Sequence, residues 1–167
     1  MSKPIPTRNE RTFDESEIIV SKTDTRGHII YGNDLFIELS GYSERELLGA
    51  PHNIIRHPDM PRVIFKLLWE YIQRGDEINA YVKNLSKDGS YYWVLANVTP
   101  SFDQNNKIIG FYSVRRKPAQ KAIDMISALY KKLIEIEKSS GIKGSEQHLQ
   151  EILNNQGASY EEFVLSI

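Results

Sequence analysis

The chain has 167 residues, enough for one globular domain and a short additional segment. Lysine and arginine (21) nearly balance aspartate and glutamate (22), so the formal net charge is -1 and we expect no nucleic-acid partner. The absence of cysteine excludes disulfides, thiolate nucleophiles and cysteine-ligated metal clusters. The first residues have no signal-peptide core and no apolar run reaches the length of a membrane span, so we expect a cytoplasmic protein.

Three segments of the chain differ in composition. Residues 1–17 are polar and contain prolines, so we expect an N-terminal arm that is flexible where it begins. Residues 18–117 alternate between strand and helix patterns and are predicted to form one domain. Residues 118–167 carry apolar side chains at helical spacing, which predicts a C-terminal helical extension.

The domain is predicted to begin with two short strands, at residues 18–24 and 28–31. Asn33 is a good helix N-cap that precedes apolar residues at helical spacing, and Ser43 with Glu46 has the form of a capping box. Residues 51–61 are irregular and rich in polar groups. A short helical region followed by a polar segment therefore separates these strands from the rest of the domain.

An amphipathic helix is predicted next, from about residue 63 to Gly75, before three longer strands at 78–86, 90–102 and 107–117. Short polar turns join the last three strands as hairpins. The order of elements predicts an α+β fold: a five-stranded antiparallel sheet with short helices covering one face. A cavity between those helices and the sheet would be the natural ligand site.

The C-terminal extension begins with a predicted helix over about residues 118–138. Its apolar stripe consists of Ala122, Met125, Ile126, Leu129, Leu133 and Ile136. Gly141 and Gly144 are expected to break this helix before two shorter ones, at 145–153 and 160–167. The stripe could contact a signalling partner, fold back on its own domain or pair with a second copy in a homodimer.

Several motifs resemble those of PAS domains, a family of sensor modules. They lie in residues 27–33 (Gly-x-Ile-x-Tyr-x-Asn), 41–49 and 87–93, and the resemblance covers residues 18–117. The resemblance implies the PAS fold, with the C-terminal helices added to it. A PAS domain is expected to act as a sensor rather than as an enzyme, and the sequence contains no nucleophile elbow, phosphate loop or zincin motif.

A narrower resemblance comes from residues 53–61, which read Asn-Ile-Ile-Arg-His-Pro-Asp-Met-Pro, and from residues 82–84 and 92–100. These segments resemble the PAS domains of aerotaxis and energy-taxis receptors. The resemblance implies non-covalent FAD and a redox signal passed to the chemotaxis machinery. Related flavin sensors often carry a tryptophan where this chain has Ile78, which predicts altered stacking on the ring or a different ligand.

Four residues are candidates for one side of a flavin site. Arg56 and His57 could hold the diphosphate or ribityl part, since a guanidinium binds such oxygens in a forked geometry. Asp59 belongs to the same motif, although taken alone it is better explained as a helix cap. Trp69 lies on the amphipathic helix and is the best candidate to contact a ring system, unless it only fills the core.

Three further candidates lie on predicted strands. The carboxamide of Asn84 would complement the N–H and carbonyl groups at the edge of a flavin, and it would be costly to bury without partners. Trp93 and Asn97 are weaker candidates on the next strand. Strand alternation separates the side chains into two sets but does not say which set faces the cavity.

Two other ligand states remain open at this point. Haem bound through a single histidine, either His52 or His57, would need no cysteine. A PAS module without a cofactor would act only as a protein-interaction domain. The four histidines are far apart in sequence and do not indicate a metal cage.

The resemblance also implies a signalling route. A change in flavin redox state would reorient Asn84, shift the sheet and move the helix over residues 118–138. That helix would contact a membrane-bound chemotaxis transducer or another signalling protein, which could recruit the chain to the inner membrane. We expect a homodimer in which residues 1–17 take part.

Overall fold

The computed structural model describes residues 2–167. The elements are β1 Ile19–Thr23, β2 Ile29–Gly32, α1 Asp34–Ser40, α2 Glu44–Leu47, a 3-10 helix His52–Ile55, α3 Arg62–Gln73, β3 Ile78–Leu85, β4 Tyr91–Phe102, β5 Ile108–Arg116, α4 Gln120–Gln156 and α5 Tyr160–Ser166. The predicted α+β fold, with its five-stranded antiparallel sheet, is confirmed.

The sheet has the strand order β2-β1-β5-β4-β3, and every neighbouring pair is antiparallel. In the β3–β4 pair, Lys83 lies opposite Trp93 and Asn84 lies opposite Tyr92. Paired residues share a face and consecutive residues alternate between faces. Asn84 and Tyr92 therefore lie on the inner face, beneath α3, and Lys83 and Trp93 lie on the outer face.

The short helices begin where the sequence predicts. The Asn33 side chain accepts the N–H of Phe36 at 3.0 Å, and it also accepts the N–H of Val20 at 3.1 Å. Ser43 and Glu46 form a reciprocal capping box at the start of α2. Because Asn33 bonds to both α1 and β1, its single side chain fixes the angle between helix and strand.

The long C-terminal helix bends once. Gly141 has φ 69° and ψ -170°, a conformation that interrupts the helix and is accessible to glycine. Gly144, also expected to break the helix, remains helical instead, so the second limb covers residues 142–156. Among residues 2–167 no helix combines the length and apolar character needed to cross a bilayer.

The apolar stripe of α4 packs on the outer face of the chain's own sheet. Its residues Ala122, Ile126 and Leu133 are buried, as is the neighbouring Tyr130, whereas Met125 is exposed. The Tyr130 hydroxyl donates a hydrogen bond to the carbonyl of Tyr81 on β3 at 2.6 Å. Of the three alternatives left open for this helix, the structure shows the fold-back, which covers most of the stripe.

The N-terminal arm, expected to be flexible, is instead hydrogen-bonded along the β3–β4 hairpin. The N–H of Thr7 donates to the carbonyl of Gly89 at 2.8 Å, and that of Arg11 donates to Tyr91 at 2.7 Å. The Arg11 side chain also donates to the Ser90 hydroxyl at 2.7 Å. The sequence did not reveal this arrangement, because the partners of the arm lie about eighty residues away along the chain.

His57 is part of the loop that leads into α3, and only 3% of its surface is exposed. Its Nδ1 accepts the N–H of Asp59 at 3.0 Å, and its ring meets that of Tyr91 edge-on. Burial, together with the nearby charge of Lys83, lowers the pKa of His57 to about 4. The neutral ring is thus a structural member of this loop.

We expect the chain to lose stability as the pH falls from about 6.5 to about 4. In this window the unfolded chain protonates His57 while the folded chain does not, so the unfolded state binds more protons. For this one residue the loss at pH 5 is at most about 2 kcal/mol. Urea unfolding at pH 7 and pH 5 measures it, and His57→Gln should reduce the difference. An equal loss in both proteins would contradict the prediction.

Candidate functional site

A cavity of about 190 Å³ lies between the inner face of the sheet and the wall made by α3 and the 3-10 helix. Most of its wall is apolar. The apolar lining residues are Ile55, Phe65, Leu68, Trp69, Ile72, Val82, Ala96, Val98 and Phe111. Such a slot suits a flat, largely apolar ring system.

One wall of the cavity is aromatic. Trp69, half-buried on α3, meets Phe111 of β5 edge-on, with ring centroids 5.6 Å apart. Gly27 closes the space behind Trp69: a Cβ at that position would lie 3.2 Å from the indole ring, and its φ of +85° favours glycine. Ile78, where an altered stacking on the ring was expected, is buried opposite Val98 and does not line the cavity.

The polar end of the cavity contains Asn84. Only 3% of this residue is exposed, and it lies in the interior of β3. Its amide Nδ2 makes no well-formed hydrogen bond within residues 2–167, and the group nearest to serving it is the buried Tyr92 hydroxyl, which also has no partner. A buried amide without an acceptor is costly, and an acceptor group of a ligand in the cavity would remove that cost.

Arg115 lies beside Asn84 at the same end and is also 3% exposed. Its Nη2 donates to the hydroxyl of Ser21, its Nη1 faces His52 Nε2 at 3.5 Å, and its guanidinium lies 4.8 Å from the ring centre of Phe36. Its Nε has no partner within residues 2–167. Burial lowers the pKa of Arg115 to about 10, so the group stays charged at neutral pH.

His52 holds this arginine from the other side. Its Nε2 lies 3.0 Å from the Ser21 hydroxyl, and its ring stacks on Phe36 at 5.8 Å. Burial, with the charge of Arg115 adding to it, lowers the pKa of His52 to about 3, so the ring is neutral. Because Nε2 is already engaged, this arrangement does not fit an axial haem ligand. No group of three or more metal-binding side chains occurs in residues 2–167.

Arg56 lies at the edge of the cavity. Its guanidinium stacks 3.7 Å from the ring centre of Phe65, and its Nε has no partner among the described residues. The backbone around it is held by Lys3 of the N-terminal arm, whose ammonium donates to the carbonyls of Asn53 and Arg56. Burial lowers the pKa of Arg56. The arginine is thus positioned to bind an anionic group that extends out of the cavity.

The charges around the cavity have one sign. Arg26, Arg56 and Arg115 line it, and none of its lining residues in the described part of the chain is acidic. A low-dielectric wall strengthens the field of these cations inside the cavity. The site therefore favours a ligand that is anionic or rich in carbonyl acceptors.

Trp93 and Asn97 require a correction, because the structure places both on the outer face of the sheet. Trp93 packs beside Tyr130 of α4, with ring centroids 6.2 Å apart. The Asn97 amide donates to Asn79 at 3.1 Å and to Glu77 at 3.2 Å. Strand alternation separates both residues from Asn84, so neither reaches the cavity.

His57 and Asp59 also lie outside the cavity lining. His57 points into the loop that precedes α3, and the Asp59 carboxylate is exposed and accepts the Lys83 ammonium at 2.8 Å. The candidates in this motif therefore have different positions. Arg56 lines the cavity, whereas His57 and Asp59 stabilise the loop. Of the seven sequence candidates, the structure brings together Arg56, Trp69 and Asn84.

The sequence interpretation missed Arg115 altogether and considered His52 only as a haem ligand. A signal for Arg115 does exist in the sequence. Phe111, Ser113 and Arg115 alternate along β5 and share one face, so a core phenylalanine places the arginine inside as well. No local pattern marks the contact between His52 and Arg115, which are 63 residues apart.

Comparison with known proteins identifies relatives at the level of sequence. A family model described as the PAS fold matches residues 29–115, more than half of the chain. The chain is 37% identical over 132 residues to the aerotaxis receptor of Escherichia coli (strain K12), covering 79% of this chain. It spans about a quarter (26%) of that receptor's length. It is also 31% identical over 87 residues to phototropin-2 of Oryza sativa subsp. japonica, covering 52% of this chain and 10% of phototropin-2.

Solved structures agree on the architecture. A light-oxygen-voltage domain studied with a flavin analogue superposes with a TM-score of 0.61 at 19% identity, covering 66% of this chain and 84% of that one. The light-state Aureochrome1 LOV domain superposes with a TM-score of 0.58 at 24% identity, covering 64% and 86%. These likenesses establish the fold. The matched family model and the receptor similarity together show that the chain belongs to the PAS fold family.

Proposed function

We propose that the chain is a non-enzymatic redox sensor that binds a flavin, in the form of FAD, in the cavity beneath α3. The observation that carries this proposal is the pair of buried, incompletely partnered groups, Asn84 and Arg115, at one end of an aromatic-walled slot. Similarity to an aerotaxis receptor and to light-oxygen-voltage domains supports the choice of a flavin. Neither Asn84 Nδ2 nor Arg115 Nε has a hydrogen-bond partner among residues 2–167, and an acceptor group on a ligand would supply one.

The lining residues would make three kinds of contact with such a ligand. Trp69 and Phe111 would contact the ring system, and Asn84 would hydrogen-bond to its polar edge. Arg115 would bind a carbonyl or anionic edge, and Arg56 would bind the phosphate portion at the mouth. When bound, the flavin supplies a ring whose charge and hydrogen-bonding pattern change with its oxidation state.

Asn84 is the group that we propose responds to this change. Rotation of its carboxamide exchanges a donor for an acceptor, and the new hydrogen bond would shift the strand that carries the side chain. Asn84 shares β3 with Tyr81, and the Tyr81 carbonyl accepts the hydroxyl of Tyr130 on α4 at 2.6 Å. A displacement of β3 would therefore reach α4 through one buried hydrogen bond.

The proposed recipient of the signal is a chemotaxis protein, namely a membrane-bound transducer that recruits the cytoplasmic chain to the inner membrane. Support comes from the similarity to the aerotaxis receptor, of which the chain spans about a quarter (26%). We also propose a homodimer. The apolar side of α4 is buried in the same chain, so the contact would use another surface or the exposed side of that helix.

The first test is an absorption spectrum of the gently purified chain, which should show the two bands of oxidised flavin. Asn84→Ala should weaken FAD affinity by about tenfold, the cost of one hydrogen bond to a buried group. Fluorescence quenching of added FAD measures this affinity. Asn97→Ala is the matched control, because it removes the same side chain from the opposite face of the sheet, and it should bind FAD as the unmodified chain does.

Other spectra would contradict the proposal. A sharp Soret band would identify haem. A colourless chain that does not quench added FAD would indicate a PAS interaction module without a cofactor. Equal loss of FAD affinity in the Asn84 and Asn97 variants would show that the effect is one of general stability and not of the cavity.

The second test separates binding from stability at Arg115. Arg115→Met removes a buried charge without a carboxylate partner, so the free energy of unfolding of the ligand-free chain should stay equal or rise. The same change should weaken FAD binding by about tenfold or more, because a charged donor is lost. Arg116→Met, on the exposed face of the same strand, is the control. An Arg115 variant that is both less stable and binds FAD normally would contradict the assignment.

A further inference from the structure

Helix α3, which carries the aromatic wall of the cavity, has no cap of its own. Pro61 occupies the N-cap position and offers no side-chain hydrogen bond. The first N–H groups of a helix have no partner inside it and need one from elsewhere. Here the N–H groups of Arg62 and Val63 donate to Glu137, at 2.9 Å to Oε1 and 3.0 Å to Oε2. The cap of this helix is thus supplied by α4, about 75 residues further along the chain.

The same carboxylate closes the bend of α4. The hydroxyl of Ser145, on the second limb, donates to Glu137 Oε2 at 2.9 Å. Ser145 is fully buried and Glu137 is 9% exposed, so water does not compete for these bonds. The bend at Gly141 is what brings the two limbs within reach of each other. One carboxylate therefore joins α3 to both limbs of the C-terminal helix.

The capped end of α3 is rigidly connected to the cavity. Phe65, Leu68 and Trp69 line the cavity within two turns of Val63, on an uninterrupted helix of 12 residues. A helix of this length moves as one body, so a shift of its first turn also shifts Trp69. The exposed ion pair between Lys66 and Glu146 adds little to this connection.

We infer that the two limbs of α4, residues 120–156, form a latch on the cavity wall, and that Glu137 is the positioning residue that fastens it. Release of the second limb and loosening of α3 are then one cooperative opening. By linkage, a ligand that orders α3 also holds the latch closed. The part of this inference that concerns a ligand rests on the proposed function, whereas the latch itself is formed by the chain's own residues.

Hydrogen exchange of the full chain without flavin tests the latch directly. In Glu137→Gln, amides in the first turn of α3 and in residues 142–156 should exchange faster by about fivefold or more, and by similar factors. Amides of β4 and β5 should not change. Ser145→Ala should give the same pattern to a smaller extent, and Glu135→Gln, an exposed carboxylate on the same helix, should have no effect. Faster exchange in only one of the two segments, or in neither, would overturn the inference.

The same measurement with FAD as the probe tests the linkage. FAD should slow exchange in residues 142–156, which lie outside the cavity, and Glu137→Gln should abolish this protection. If FAD binds and protects α3 but leaves residues 142–156 unchanged, the linkage is wrong. If the fluorescence of added FAD is not quenched, FAD does not bind and the proposed function is wrong. The exchange pattern of the ligand-free chain still shows in that case whether the latch exists.

Discussion

A guanidinium buried without a carboxylate partner is the feature on which the chemistry of the cavity depends. Arg115 has a hydroxyl, a neutral imidazole and an aromatic face around it, and these leave its charge uncompensated. Burial lowers the pKa of His52, and the second cation that its protonation would place beside Arg115 lowers it further. An electron-rich group placed beside the arginine would reduce the cost of burying this charge.

The alternation of side chains in the sheet decides which polar groups can take part in this chemistry. Asn84 and Asn97 are the same residue type in the interiors of neighbouring strands, and both looked suitable for a flavin edge. Asn97 finds partners in Asn79 and Glu77 on the outer face, whereas the Asn84 amide donor has none in the described chain. The face, rather than the residue type, therefore distinguishes a structural asparagine from a candidate ligand group.

Structural features that depend on a few consecutive residues could be predicted from the sequence. The caps at Asn33 and Ser43, the strand boundaries and the break at Gly141 all depend on neighbours within a few residues. The motif in residues 53–61 indicated the family, but its candidate binding residues do not lie together. Only Arg56 among them lines the cavity. Contacts between distant segments had no local signal: the docking of the arm, the fold-back of α4 and the pairing of His52 with Arg115.

A structural change in the cavity could be transmitted through the sheet wall or through the helix wall. Both walls contact residues 118–167. On the sheet side, β3 is an edge strand. Its N–H at Asn79 donates to Glu161 of α5, and its Tyr81 carbonyl accepts Tyr130 of α4. On the helix side, α3 is a single stiff body whose first turn is held by Glu137. Each wall is thus attached to residues 118–167, in addition to its contacts with the neighbouring strands. A change in the separation of the two walls would strain these attachments, whereas a common shift of both walls would not.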